Sequence, residues 1–163
     1  MRALVALLLT LLLVAAVSAC DTTEPGCAVP AAVEAGRLAA CVSGDVALGL
    51  DATLTTFRDD EGQVVIEFRD GRSGGTLVVS AAPAVPDLFP VAVQGPDGLA
   101  GAAFVVLTVD VPGTFDTFNG QSGMVTVESV GADGSLAGTF DVAAGSASGE
   151  LRVRGRFRTL APN

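Results

Sequence analysis

From residue 45 onward, apolar and polar positions alternate with period two rather than 3.6. Val46, Leu48, Leu50, Ala52 and Leu54 alternate with Asp45, Ala47, Gly49, Asp51 and Thr53. Asp59-Asp60-Glu61-Gly62 supplies a turn, after which Val64, Ile66 and Phe68 alternate with Val65, Glu67 and Arg69. A second turn at Asp70-Gly71 leads to a short strand over residues 76–80. Residues 81–90 carry Pro83, Pro86 and Pro90, which confines them to a loop or an edge. Residues 91–93 read as a brief strand. Residues 99–109 are apolar on both faces around Phe104-Val105-Val106, as in a central strand. Residues 124–130, 135–142 and 150–159 complete the set, with turn-like connectors at 131–134 and 143–149. The spacing predicts an all-β fold: an antiparallel β-sandwich or small β-barrel of seven to eight strands over residues 45–160. No strong helical period lies inside it, which argues against a parallel sheet with crossover helices.

The N-terminus has a different pattern. After Arg2, residues 3–17 form an apolar run interrupted only by Thr10. That is short for a membrane helix, which needs about 20 residues, and suits the helical core of a secretory signal. The run ends Val17-Ser18-Ala19-Cys20. This ending resembles a bacterial lipoprotein lipobox, whose small residues enter a narrow peptidase site and whose thiol carries the lipid. The resemblance implies a signal peptide over residues 1–19, cleavage between Ala19 and Cys20, and acyl chains on Cys20. Two or more chains would anchor the protein stably to a membrane. Residues 20–44 then comprise the lipidated Cys20, a polar Pro/Gly tether and a segment holding Cys27 and Cys41. In an oxidising compartment those two thiols are expected to pair. Between them, residues 30–40 have helix-compatible composition, weakened by Gly36.

The lipobox resemblance places the protein in the bacterial cell envelope, on the periplasmic side or at the outer surface. Asp21 after the lipidated Cys is an inner-membrane retention signal in enteric-type sorting, a rule other bacterial groups ignore.

Composition narrows the chemistry. The chain has no His, Lys, Tyr or Trp; all nine basic residues are Arg, and the formal net charge is −9. A Ser or Thr nucleophile lacks its usual base, and Schiff-base chemistry lacks its Lys. Acidity and the missing Tyr and Trp disfavour nucleic acid. No cofactor or metal is expected. Three Cys cannot build a structural zinc site, and an EF-hand-like acidic loop is absent. Asp59, Asp60, Glu61, Asp97, Asp110, Asp116 and Asp133 mostly flank turns, where carboxylates cap backbone N–H groups.

Three features remain as candidate sites. Arg152, Arg154, Arg156 and Arg158 alternate with Leu151, Val153, Gly155 and Phe157, so the last strand presents an arginine ladder on one face. It would either bind an anion, such as an acidic glycan, or be neutralised by carboxylates at Asp141, Glu128, Asp51 and Glu67. Phe115 and Phe118, read as lying in a Gly-rich loop, form a candidate contact patch if both are exposed. Glu67, Glu128 and Glu150 are the acids on which a carboxylate-dependent glycan hydrolase would draw.

A cadence in the C-terminal half carries a family resemblance. It runs Phe115-x-x-Phe118, Ser122-Gly123-x-Val125-x-Val127, Gly138-Thr139-Phe140 and Gly155-x-Phe157. Over residues 115–157 this resembles small secreted lipoproteins of Bacteroidetes-type bacteria, whose domains have no assigned function. The resemblance implies an anchored, β-rich envelope protein and supplies no catalytic residues. The expectation is a non-enzymatic structural or binding module for an envelope protein or anionic glycan. The alternatives are a carboxylate-dependent hydrolase, or a small-ligand carrier if the strands enclose a cavity.

Overall fold

The computed structural model describes residues 27–80, 83, 85–92, 101–111 and 114–163, and all of its regular structure is β. The strands are β1 (Arg37–Gly44), β2 (Leu48–Arg58), β3 (Val64–Asp70), β4 (Ser73–Val79), β5 (Asp87–Pro90), β6 (Ala103–Val111), β7 (Thr114–Val130), β8 (Leu136–Ser146) and β9 (Gly149–Arg158). The order is β7-β6-β4-β3-β2-β1-β9-β8, and β8 pairs back onto β7. Eight antiparallel strands therefore close into a barrel. The ninth, β5, hydrogen-bonds the second half of β7 along the edge that β6 leaves free. Of the two architectures expected, the chain adopts the barrel.

Closure depends on the length of β7. Its first half pairs with β6, from Thr114 to Asn119, and Asn119 to Val130 pair with β8. Register shifts at Gly120/Ser122 and Val127/Ser129 let this 17-residue strand bend between its partners.

An eight-stranded barrel has an interior just wide enough for side chains to fill. Here they fill it. One inner row runs Leu50, Ala40, Gly155, Phe140, Val125, Phe89; the next runs Ala52, Leu38, Phe157, Gly138, Val127. The non-glycine members of both rows are buried. In these rows Phe140 and Phe157 each lie opposite a glycine. A Cβ on Gly155 would lie 2.7 Å from Phe140 Cε1, and one on Gly138 would lie 3.0 Å from Phe157 Cζ. On the far side, a Cβ on Gly75 would lie 2.6 Å from Phe68 Cζ. The Gly-Thr-Phe and Gly-x-Phe cadence thus has a physical cause. On antiparallel β8 and β9 the two motifs interlock, each phenylalanine occupying the space over the other strand's glycine.

Three expectations change. Residues 30–40 contain no helix; residues 37–44 instead form β1, with Leu38, Ala40 and Val42 facing the core. Pairing on both edges, with β2 and β9, overrides the weak helical preference of a short Ala-rich stretch. The barrel therefore begins at Arg37 rather than at residue 45. Of the brief strand expected at 91–93, Val91 makes one parallel bridge to Ala103 and residue 93 lies outside the described residues; the strand in the Pro-rich crossing is β5. The expected signal helix lies outside the described residues.

Candidate functional site

β9 sits between β1 and β8, and the pleat sends its four arginines to the outer wall. Two of them are neutralised. Arg152 forks onto Asp141 of β8, Nε to Oδ1 at 2.8 Å and Nη2 to Oδ2 at 2.7 Å. Arg156 reaches across β8, past Thr139, to Glu128 on β7 at 2.8 Å. The Arg152 fork holds Asp141 below the usual carboxylate range; partial burial opposes the shift, and the nearby Arg154 charge assists it. Asp141 in turn raises Arg152 above its ordinary value. Asp51 binds Arg37 of β1 at 2.5 Å. Of the four carboxylates expected to neutralise the ladder, Asp141 and Glu128 do so, Asp51 serves Arg37, and Glu67 makes no ion pair among the described residues.

Arg154 and Arg158 make no ion pair among the described residues. Arg154 lies directly opposite Asp141, whose two oxygens are already taken by Arg152, and opposite Cys41 on its other side. Arg158 lies opposite Arg37, a like charge, and Ala137.

The disulfide shapes the ground around Arg154. Cys27 and Cys41 are bonded, with Cα atoms 5.6 Å apart. Cys41 sits on the outer face of β1, so the bond pins the incoming chain against the wall. Cys27, Ala28 and Val29 form one side of a groove of about 420 Å³. Met124, Thr126, Thr139 and Arg154 form its floor, with Asp141 at the edge. Further along, Ala32 and Val33 border a depression of about 290 Å³ that holds Glu128, Arg156 and Arg158. The segment from Cys27 to Gly36 is thus a strap along the ladder, ending where the Gly36 N–H donates to Arg158 O at 2.8 Å.

The phenylalanine patch is not present as expected. Phe115 and Phe118 both lie in β7, three residues apart, so the pleat sends them to opposite faces. Phe115 is 68 % exposed and Phe118 is 1 % exposed, inside the core.

The loop acids do turn and end chemistry. Asp59 Oδ1 accepts the N–H groups of Glu61 and Gln63. Asp133 takes the Ser135 N–H and hydroxyl, which lower its pKa. Asp116 accepts the Ser146 hydroxyl at 2.6 Å, the Thr117 N–H and the Ser148 hydroxyl. The Ser146 hydroxyl first, and then the Thr117 N–H, lower its pKa, and the serine bonds tie β7 to the β8–β9 turn. Asp110 pairs with Arg72. Asp97 lies outside the described residues. Among those described, no group of three Cys, Asp or Glu side chains is arranged to hold a metal ion.

Glu67, Glu128 and Glu150 fall on β3, β7 and β9. Four grooves lined by described residues each hold at most one carboxylate: Glu67, Asp141 or Glu128. The lipidation and cleavage residues, Ala19 and Cys20, lie outside the described residues. Comparison of the chain with protein-family models, curated proteins and solved structures finds no match.

Proposed function

We propose that the chain is a lipid-anchored cell-envelope protein whose barrel is a non-enzymatic binding module, with the outer wall of β9 as its contact for an anionic glycan. The observation that carries this reading is Arg154, a guanidinium with no ion pair among the described residues, set in a groove walled by the disulfide. Arg158, on the same face, extends the contact. Arginine offers a planar fork suited to carboxylate or phosphate. The barrel's inner rows are apolar and its β9 wall is charged, the reverse of a lipid-facing barrel. That polarity supports a domain facing water, held to the membrane by Cys20. A glycan hydrolase needs two carboxylates flanking one bond, and the four grooves above hold one at most. A carrier needs a lumen, and the inner rows fill it.

Two measurements test the proposal. In the Arg154→Gln/Arg158→Gln variant, retention on an acidic envelope polysaccharide should fall at least tenfold while the circular dichroism and melting temperature stay unchanged. Undiminished retention would refute the arginine contact. The Cys20→Ser variant should leave the membrane fraction; a variant that still sediments with membranes refutes the lipid anchor.

A further inference from the structure

The opposite wall of the barrel, β2-β3-β4-β6, carries a second groove of about 540 Å³. Two cross-strand rows build it: Thr53, Arg69, Gly74, Thr108, and beside it Thr55, Glu67, Thr76. Gly74 creates the depression. It faces outward with no side chain between Arg69 and Thr108, and a Cβ there would lie 2.6 Å from Phe68 O, so glycine is held in place by the backbone. Arg72 stands at the rim, tied to Asp110 at 2.5 Å.

The polar groups in this groove are largely unspent. Among the described residues, the side chains of Thr55, Thr76, Glu67 and Arg69 make no hydrogen bond or ion pair. Thr53 makes one long bond to Arg69 O at 3.4 Å, and Thr108 bonds Thr117 at 3.2 Å. The β9 wall differs, since half of its cations are neutralised by carboxylates.

We infer that this groove binds a carboxylated sugar. A guanidinium without a counter-ion matches one carboxylate through a two-bond fork. Threonine hydroxyls both donate and accept, and the Glu67 carboxylate accepts from adjacent sugar hydroxyls. The volume falls within the range of small-molecule sites. A neutral hexose would leave Arg69 unmatched. A small zwitterion such as glycine would engage Glu67 and Arg69 but leave the threonine rows unused. The site is independent of the β9 wall, which lies on the other side of the barrel, so failure of either reading leaves the other standing.

The test is an NMR titration of the isotope-labelled full-length chain in detergent micelles with sodium glucuronate, glucose and glycine. Glucuronate should shift the backbone amides of both rows, and glucose and glycine should bind at least several-fold more weakly. Arg69→Gln should weaken glucuronate binding about tenfold, the loss of one charged hydrogen-bonded contact. Thr76→Val should weaken it without changing the fold. The inference is overturned if glucuronate shifts no amide of the two rows, if Arg69→Gln titrates like the wild type, or if glucose or glycine binds as tightly.

Discussion

Gly155 and Gly138 occupy equivalent places under phenylalanine rings but are constrained by different atoms. Around Gly155 the nearest atoms to an added Cβ are all side-chain atoms: the Phe140 ring and Ala40 Cβ, the latter at 2.8 Å. Around Gly138 the closest is the backbone oxygen of Thr126, with Phe157 Cζ at 3.0 Å. Overpacking a core typically costs about 1–3 kcal/mol. Gly155→Ala should therefore destabilise by roughly that amount, and Phe140→Leu in the same chain should recover part of the loss by vacating the space. Gly138→Ala should be at least as damaging, and Phe157→Leu should recover little of it, because a strand backbone cannot move aside. Denaturant melts of the four single and double variants check this. Equal recovery in both pairs would show that the ring, not the backbone, sets the requirement at both places.

At the level of elements, legibility followed the strength of the alternation. β2, β3 and β9 alternate mainly apolar positions with mainly polar ones, so the pattern locates them. β1 was obscured because its sequence, RLAACVSG, buries Ala40 and Cys41 among larger residues and has little polar contrast. Only its two long-range partners make it a strand. β5 is the edge strand that the prolines of residues 81–90 allow, and among the described residues no strand pairs with its outer side. Pro90 has no N–H to offer, and the Leu88 N–H is donated to Asp87 Oδ1 at 2.8 Å. That strand presents few donors to a foreign chain. The Phe115–Phe118 spacing is ambiguous in sequence, because residues three apart share a face in a helix or a compact loop but split across a strand. The arginine ladder was legible from parity alone. Which arginines are spent was not, because the fork of Arg152 to Asp141 is diagonal and the reach of Arg156 to Glu128 crosses an intervening strand. The groove at Gly74 leaves no local signal, since residues far apart in the chain, on four strands, build it together.

At the scale of the whole molecule, the absence of His, Lys and Tyr sets how stability responds to pH. Carboxylates titrate near 4 and arginine above 12. With Cys27 and Cys41 bonded, the described residues include none of the side-chain types that ordinarily titrate near neutral pH. In about 0.15 M salt, where the repulsion of the acidic surface is largely screened, the melting temperature should be level from pH 6 to pH 8. It should stay level toward pH 10 if the Cys20 thiol is acylated. The acid limb has a definite sign. Asp141, Asp116 and Asp133 have pKa values lowered in the folded state by Arg152, Ser146 and Ser135 respectively. The unfolded chain therefore takes up these protons first. The stabilisation is complete above the ordinary carboxylate pKa and is lost as pH falls through the lower folded values. Melting temperature should accordingly decline below about pH 4. Asp141→Asn should lower the plateau and make the decline shallower, because it removes one linked proton along with the fork to Arg152. A step between pH 6 and pH 8 would contradict this account, and an acid limb of unchanged slope in Asp141→Asn would remove Asp141 from it.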